Sequence, residues 1–406
     1  MPDSLPHKPK DHLTRVLRVR IKDKHAAELR EAAYWVNQVW NYCNALSFQV
    51  WQRERRFLSG YDFAPFTAGA TQEGLPLHSQ TVQAISEEFA RRRIQFKKTK
   101  LRWRVSGGPR RSLGWVPYKA SAIAYRNGQL RVSGLRRPLS LWDSYDLSKY
   151  KIGVTTLSED ARGRWYANIT VRIAKPQRQL AGVCESALGI DLGLKSLVAD
   201  SEGGKVDAQR FYRDLENRLA VAQRAGRKAR VRAIHAKIAH RRKDFLHKLS
   251  TQQVRTHQAI FVGDVEPSKL AKTRMSKSVL DAGWSAYRTM LQYKSDDAGV
   301  WFRAMDESYS TQECSACGAR TGPRGLAGLS VRHWVCMGCG KRHDRDTNSA
   351  LVIRSRGLKW LESEISSAAV PAQSTDRSVQ AESKRTAQTA ALAAGRGRLA
   401  VGISVL

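Results

Sequence analysis

A chain of 406 residues is longer than the roughly 250–300 over which one hydrophobic core keeps growing, so two or three domains are expected in place of one compact unit. Its 42% hydrophobic content allows packed cores, while a mean hydropathy of −0.48 and the lack of any long uncharged apolar run exclude a membrane-spanning helix. Lys and Arg number 70 against 36 Asp and Glu, a formal charge of +34, far beyond the ~2–8 that solubility favours; the expected partner is a polyanion.

The first 24 residues carry Pro and charges without an apolar core, which predicts neither a secretory signal nor an anchor and a location in the cytoplasm or nucleoid. Residues 14 to 22 alternate apolar and basic side chains, the period of a half-buried strand. From Lys24 to about Glu54 the spacing turns helical and predicts a helix pair, with Leu29, Ala33, Val36, Val39, Trp40, Cys43 and Leu46 on one face. A second helical segment, from about Ser79 to Lys98, ends in a basic run. From Trp103 to about Ala174, turn residues such as Gly107-Gly108-Pro109 and Asn127-Gly128 divide short strands, which predicts an antiparallel sheet or small barrel. Basic residues here interleave with Trp103, Trp115, Tyr118, Tyr125 and Trp142, a pattern that can hold phosphates and exposed bases together. The alternative is an ordinary sheet with a charged outer face.

A new domain is expected from about Glu185, where Leu188 to Asp200 reads as a buried strand, a glycine turn and a second strand. Phe211 to about Ser250 is read as a long helical stretch. Its basic residues Arg224, Arg227, Lys228, Arg230, Arg232, Lys237, Arg241 and Arg242 would lie along nucleic acid or form a solvated face. Two further strands, Ala259–Val265 and Val300–Met305, flank an amphipathic helix predicted around Ser276 to Leu291, which indicates an α/β layer. A last helix is expected from about Asp346 to Leu361, with residues 366 to 400 largely disordered.

Two constellations carry chemistry. Four of the six cysteines form Cys314-x-x-Cys317 and Cys336-x-x-Cys339. Glycines follow each pair at Gly318 and Gly340, so four thiolates can close a tetrahedron around a structural Zn2+ with no open position for catalysis. The second constellation is acidic residues at the ends of apolar strands: Asp191, Asp264, Glu307, Asp344 and Asp346. Carboxylates gathered over a sheet repel one another unless cations lie between them, and such oxygen ligands select Mg2+ or Mn2+. Two ions about 4 Å apart can drive phosphodiester hydrolysis. Asp344 or Asp346 could instead cap the following helix, whereas Asp191, between Ile190 and Leu192 in an apolar strand, is costly without a partner.

Gly189-Ile-Asp-Leu-Gly-Leu194, the stretch from Ala271 to Ser285, Tyr309 to Gly318 with its first cysteine pair, and His343-Asp-Arg-Asp-Thr-Asn-Ser-Ala350 occur in an order that resembles the TnpB proteins of bacterial insertion sequences, ancestors of the compact type V CRISPR effectors. Ser112-Leu-Gly-Trp-Val-Pro-Tyr118 resembles the N-terminal half of the same family, so the likeness spans about residues 14 to 357. It implies an α+β multidomain protein: a wedge-like β-barrel over residues 1–24 and 101–183 with a helical recognition insert at 25–100. A RuvC-type, RNase H-like nuclease domain would follow over 184–308 and 344–362, interrupted by a zinc ribbon at 309–343, with a disordered tail at 363–406. The implied activity is RNA-guided endonuclease cleavage of double-stranded DNA beside a short adjacent motif, with a noncoding guide RNA and the target DNA as partners and Mg2+ as catalytic cofactor. A guided DNA-binding protein with weak or lost cleavage is the alternative.

Residue by residue, Asp191 matches the first catalytic carboxylate of that family and Asp346 the third. The usual position of the second holds Gly263. Glu307 is therefore expected to supply it from the neighbouring strand, with Asp264 and then Glu266 as alternatives.

Overall fold

The computed structural model describes residues 12–176, 184, 186–265, 282–325, 328 and 330–369. Residues up to Lys359 form one compact unit, and the remainder form a second. Among the described residues the first unit holds a seven-stranded antiparallel sheet, a five-stranded mixed sheet and a two-stranded hairpin.

The alternation at the N-terminus does make a strand, β1 (His12–Ile21), whose buried Val19 and Ile21 point into the core. It pairs along nearly its whole length with β7 (Trp165–Ala174) and at its end with β5 (Leu139–Trp142). The other strands are β2 (Trp115–Tyr118), β3 (Ile123–Arg126), β4 (Gln129–Val132) and β6 (Ile152–Glu159). The order β2-β6-β7-β1-β5-β4-β3 brings β3 round towards β6 and nearly closes the sheet.

The helix pair expected after β1 is instead one continuous helix, α1 (Ala26–Glu54). No Gly or Pro interrupts it, and its apolar spacing persists throughout. A short α2 (Ala64–Thr67) leads to α3 (Ser79–Phe96), and Leu29, Val36, Trp40, Ile85 and Phe89 join the sheet's interior in one core.

Three asparagines on one face of α1 clamp the extended segment that follows α3. Asn44 exchanges two hydrogen bonds with the backbone of Leu101 (2.8 and 3.0 Å). Asn41 does the same with Arg104 (2.9 and 2.8 Å), and Asn37 reaches Ser106 Oγ and the Arg104 side chain. Spacings of four and three residues place these amides in a row, where they replace the ladder partners that an isolated extended segment lacks.

At the end of β6 the Glu159 side chain is fully buried. It takes both prongs of Arg111 (2.7 and 3.0 Å) and the amide of Gly114 (3.0 Å), with Arg30 at 3.7 Å.

The second sheet contains β8 (Ala187–Leu192), β9 (Ser196–Asp200), β10 (Lys205–Asp207), β11 (Ala259–Gly263) and β12 (Trp301–Met305), in the order β10-β9-β8-β11-β12. The first three are antiparallel, while β8, β11 and β12 run parallel. β8 and β11 are almost wholly buried, as central strands covered on both faces must be.

Before β11 the long helical stretch divides at Gly226, which adopts φ 62°, into α4 (Arg213–Arg224) and α5 (Lys228–Thr256); only a glycine takes that backbone without strain. Helix α6 (Trp284–Ala298) begins later than expected, and residues 276–281 of the expected helix lie outside the described residues. Helices α5 and α6 cover the sheet face carrying Leu188, Ile190, Ile260 and Val262.

The opposite face carries Gly189, Asp191, Phe261 and Gly263 by the two-residue period and receives α7 (Arg345–Ala369). That helix runs eight residues beyond its expected end, and residues 370–406 of the expected tail lie outside the description. Contact is close because two side chains are missing: a Cβ at Gly189 would overlap the Ala350 carbonyl, and one at Gly357 would enter the Phe261 ring.

Replacing Gly189 with Val is therefore expected to destabilise the fold by about 1–3 kcal/mol in denaturant unfolding, the usual cost of overpacking.

Burial raises the Glu159 carboxyl, but Arg111, the Gly114 amide and Arg30 together hold it below its ordinary value. Its stabilisation is thus complete above the unfolded-state value of about 4.3 and lost as pH falls through the lower folded value. Glu159→Gln should flatten the acid-side fall in melting temperature relative to the native chain.

Candidate active site

Asp191 sits near the end of β8 on the face covered by α7. Ser349, one turn into α7, donates to Asp191 Oδ1 at 3.1 Å and shares a 2.7 Å hydrogen bond with Ser310. The Asp191 carboxyl is pushed up to about 6, first by burial and then by the charge of Asp346, against the opposing effect of Ser349.

Glu307 follows β12, whose parallel register pairs Gly263 with Met305. Its carboxylate fills the space a side chain at Gly263 would need: a Cβ there would lie 2.6 Å from Glu307 Oε2. Glu307 is pushed up to about 7 by burial and by the charges of Asp191 and Asp264, with Arg288 acting the other way. Asp264 accepts the Glu307 backbone N–H at 3.3 Å and is itself exposed.

Asp191 thus lies near enough to Asp346 for that charge to act on it, and near enough to Glu307 to act on Glu307 in turn, while Asp264 adjoins Glu307. Glu266 lies outside the described residues. Asp344 has a different part: it accepts the Thr347 amide at 3.0 Å, capping α7, and pairs with Lys205 at 2.8 Å.

Three contributors to this site are absent from the sequence reading. Arg332 Nη1 lies 3.1 and 3.2 Å from the two oxygens of Asp346. Ser349 holds Asp191. Asn348 is fully buried and fixes the backbone before the first cysteine pair through Glu313 O (2.7 Å) and the Ser315 amide (2.9 Å). Asn348 and Ser349 do stand inside the quoted His343–Ala350 stretch, but Arg332 carries no local signal.

The four cysteine sulfurs lie within 4.8 Å of one another, and the Cys314–Cys339 and Cys317–Cys336 pairs are 3.7 and 3.6 Å apart. A tetrahedron with metal–sulfur bonds of about 2.3 Å has edges of about 3.8 Å, so the donor set fits a single metal ion. Gly318 and Gly340 adopt φ 77° and 72°, as their place after each pair suggests. The amides that approach sulfur, however, belong to Ala316 (3.4 Å, Cys314) and Gly338 (3.3 Å, Cys336).

β13 (His333–Val335) and β14 (Arg342–Asp344) form a hairpin beside the cluster. Buried His343 brings Nε2 to 3.0 Å from Cys314 Sγ, and Trp334 packs on its ring at 4.6 Å between centroids. Burial, and then Lys341, lower the imidazole below its ordinary value, and a hydrogen bond between His343 Nε2 and the Cys314 sulfur is the kind of outer contact that orients a metal-binding sulfur. His343→Ala should weaken Zn2+ binding about 10–100-fold in competition with a chromophoric chelator.

Residues 168–274 match the family model "Probable transposase" of the OrfB_IS605 type, and residues 284–353 match the "Cas12f1-like, TNB domain" model. A Streptomyces pristinaespiralis protein named "Putative RNA-guided DNA endonuclease" is 33% identical over 357 residues, covering 83% of this chain and 87% of that one. InsQ of Escherichia coli K12, of the same description, is 26% identical over 249 residues, 53% and 60% of the two chains. The solved Cas12f1–sgRNA–target DNA complex contains a chain that superposes with a TM-score of 0.56 at 11% identity, over 85% of this chain and 99% of that one, a likeness of fold. Identity of this extent to the Streptomyces protein, with both domain models matched in order, makes this chain a member of the TnpB family.

Proposed function

We propose that this chain is an RNA-guided DNA endonuclease: it binds a noncoding guide RNA and hydrolyses both strands of a target duplex beside a short adjacent motif. Family membership and the names of its relatives support that reading, and the charge of +34 suits a protein that grips backbones and leaves sequence choice to base pairing. The nuclease domain is assigned to 184–308 and 344–362, of RuvC type. The zinc ribbon is assigned to 309–343, and the barrel with its helical insert to the residues before them. The expected fit of a glutamate beside the neighbouring strand is supported by the β11–β12 pairing.

The observation that carries the catalytic assignment is Glu307 Oε2 standing where a side chain of residue 263 would be. The second carboxylate is supplied from β12 and reaches the same place because position 263 is glycine. Asp191, Glu307 and Asp346 are the proposed metal ligands, and the repulsion of Asp191 with Asp346 and with Glu307 is the electrostatic condition that divalent cations relieve.

When bound, Mg2+ would supply charge neutralisation and an activated water for in-line displacement at phosphorus. Ser349 orients Asp191, Asp264 fixes the backbone of Glu307, and Arg332 balances Asp346. Asp191 and Glu307 ligate only when deprotonated. At subsaturating Mg2+, activity should therefore rise with pH through about 6 to 7, the values to which they are pushed without a cation, and the rise should move to lower pH as Mg2+ is increased.

The test is Mg2+-dependent cleavage of a matched DNA duplex by the protein with its copurifying RNA. Glu307→Gln should lower the rate on the order of 10²–10³-fold, as should Asp191→Ala, whereas Asp264→Asn should retain most activity. Gly263→Ala should be impaired because its methyl displaces Glu307. Full activity in Glu307→Gln would overturn the assignment.

A further inference from the structure

The clamped segment between α3 and β2 separates two grooves that share Ser112, Gly114 and Glu159 on their walls. The larger has a volume of about 990 Å3. Phe96, Trp103 and Leu113 line it while remaining about half exposed, at 56%, 49% and 48%. The smaller, about 340 Å3, is lined by Arg30, Arg111, Arg162 and Arg232.

Several observations on the larger groove point to a ligand. Trp40 lines it and is buried. Trp103 is held in place from behind: the asparagine row fixes the backbone on either side of it, and the Lys100 ammonium lies 5.3 Å from its ring and 4.9 Å from that of Phe48. An aromatic so fixed keeps its exposed surface without a rotamer cost on binding. Lys98, Arg102 and Arg110 stand in the same groove with no acidic partner among the described residues.

The two carboxylates on the wall do not cancel that charge. Glu88 is engaged by Arg91 and Arg92 at 2.6 Å each, and Glu159 by Arg111. A rigid, half-exposed ring beside free cations is the combination that stacks a base and holds its phosphate. A carboxylate, with lone pairs to spare after two arginines, favours a ligand that brings a hydroxyl donor, and the ribose 2′-OH is such a group.

We propose that this groove binds an unpaired nucleotide of single-stranded RNA, its base stacked on Trp103 and Phe96 and its phosphates met by Lys98, Arg102 and Arg110. The strand continues past Ser112 into the arginine-lined groove. This site deepens the guided-nuclease reading and rests on it for the presence of RNA.

The test uses the full-length protein stripped of nucleic acid and titrated with a short oligouridylate or with the matching oligothymidylate. Trp103→Ala should weaken the RNA complex on the order of 5–100-fold, Trp103→Phe should restore most of it, and native protein should prefer RNA to DNA. Trp103→Ala binding within twofold of native would overturn the site while leaving the guided-nuclease reading intact. An equal or greater loss for oligothymidylate would overturn the RNA assignment. Native protein that binds neither oligonucleotide nor copurifying RNA would sink the guided-nuclease reading itself. Photocrosslinking of a 4-thiouridine oligonucleotide to the native chain gives a readout independent of variant folding: adducts between residues 96 and 115 are expected, and adducts confined elsewhere would contradict the site.

Discussion

Repulsion among carboxylates is the constraint around which the C-terminal half of this protein is organised. In a chain with an excess of 34 positive charges, acidic side chains could each have found a basic partner. Asp191 and Glu307 are instead pushed well above the ordinary carboxylate range, first by burial and then by neighbouring carboxylates, Asp346 for Asp191 and Asp191 with Asp264 for Glu307. Such an arrangement weakens the fold at neutral pH, since the folded state then holds protons that the unfolded chain releases. It persists because strand pairing and helix packing leave those side chains no other place.

Two glycines do much of that positioning. At Gly189 the absence of a Cβ lets α7 settle on β8, which brings Asp346 and Ser349 over Asp191. At Gly263 it leaves room for the Glu307 carboxylate, reaching across from the next strand. The cysteine cluster adds a further link: Arg332, just before the hairpin, contacts Asp346, while Asn348 ties the start of α7 to the first cysteine pair. Order in the cysteine hairpin is thereby coupled to the electrostatics of the carboxylates.

The elements legible in the sequence were those whose signal is local. Alternation marks β1, a Cys-x-x-Cys pair needs only its own turn, and an aspartate inside Gly-Ile-Asp-Leu-Gly stands out by the cost of its surroundings. The expected helix pair became a single helix because nothing in that stretch breaks it, whereas the long basic stretch divided at Gly226, whose left-handed backbone cannot be told from an ordinary helical glycine by composition. Asp344 shows the same limit: its role as a cap depends on where α7 begins, which spacing alone leaves within a residue or two. Arg332, His343 and the asparagine row were not legible as a set, because each acts on a partner brought near only by tertiary packing.

The central claim is that Asp191, Glu307 and Asp346 form one cation site, and Mn2+ binding followed by electron paramagnetic resonance tests it without reference to cleavage. The account predicts that native protein binds Mn2+ with affinity that increases with pH, and that Glu307→Gln loses this binding while Asp264→Asn keeps it. Undiminished Mn2+ binding in Glu307→Gln, together with its loss in Asp264→Asn, would contradict it.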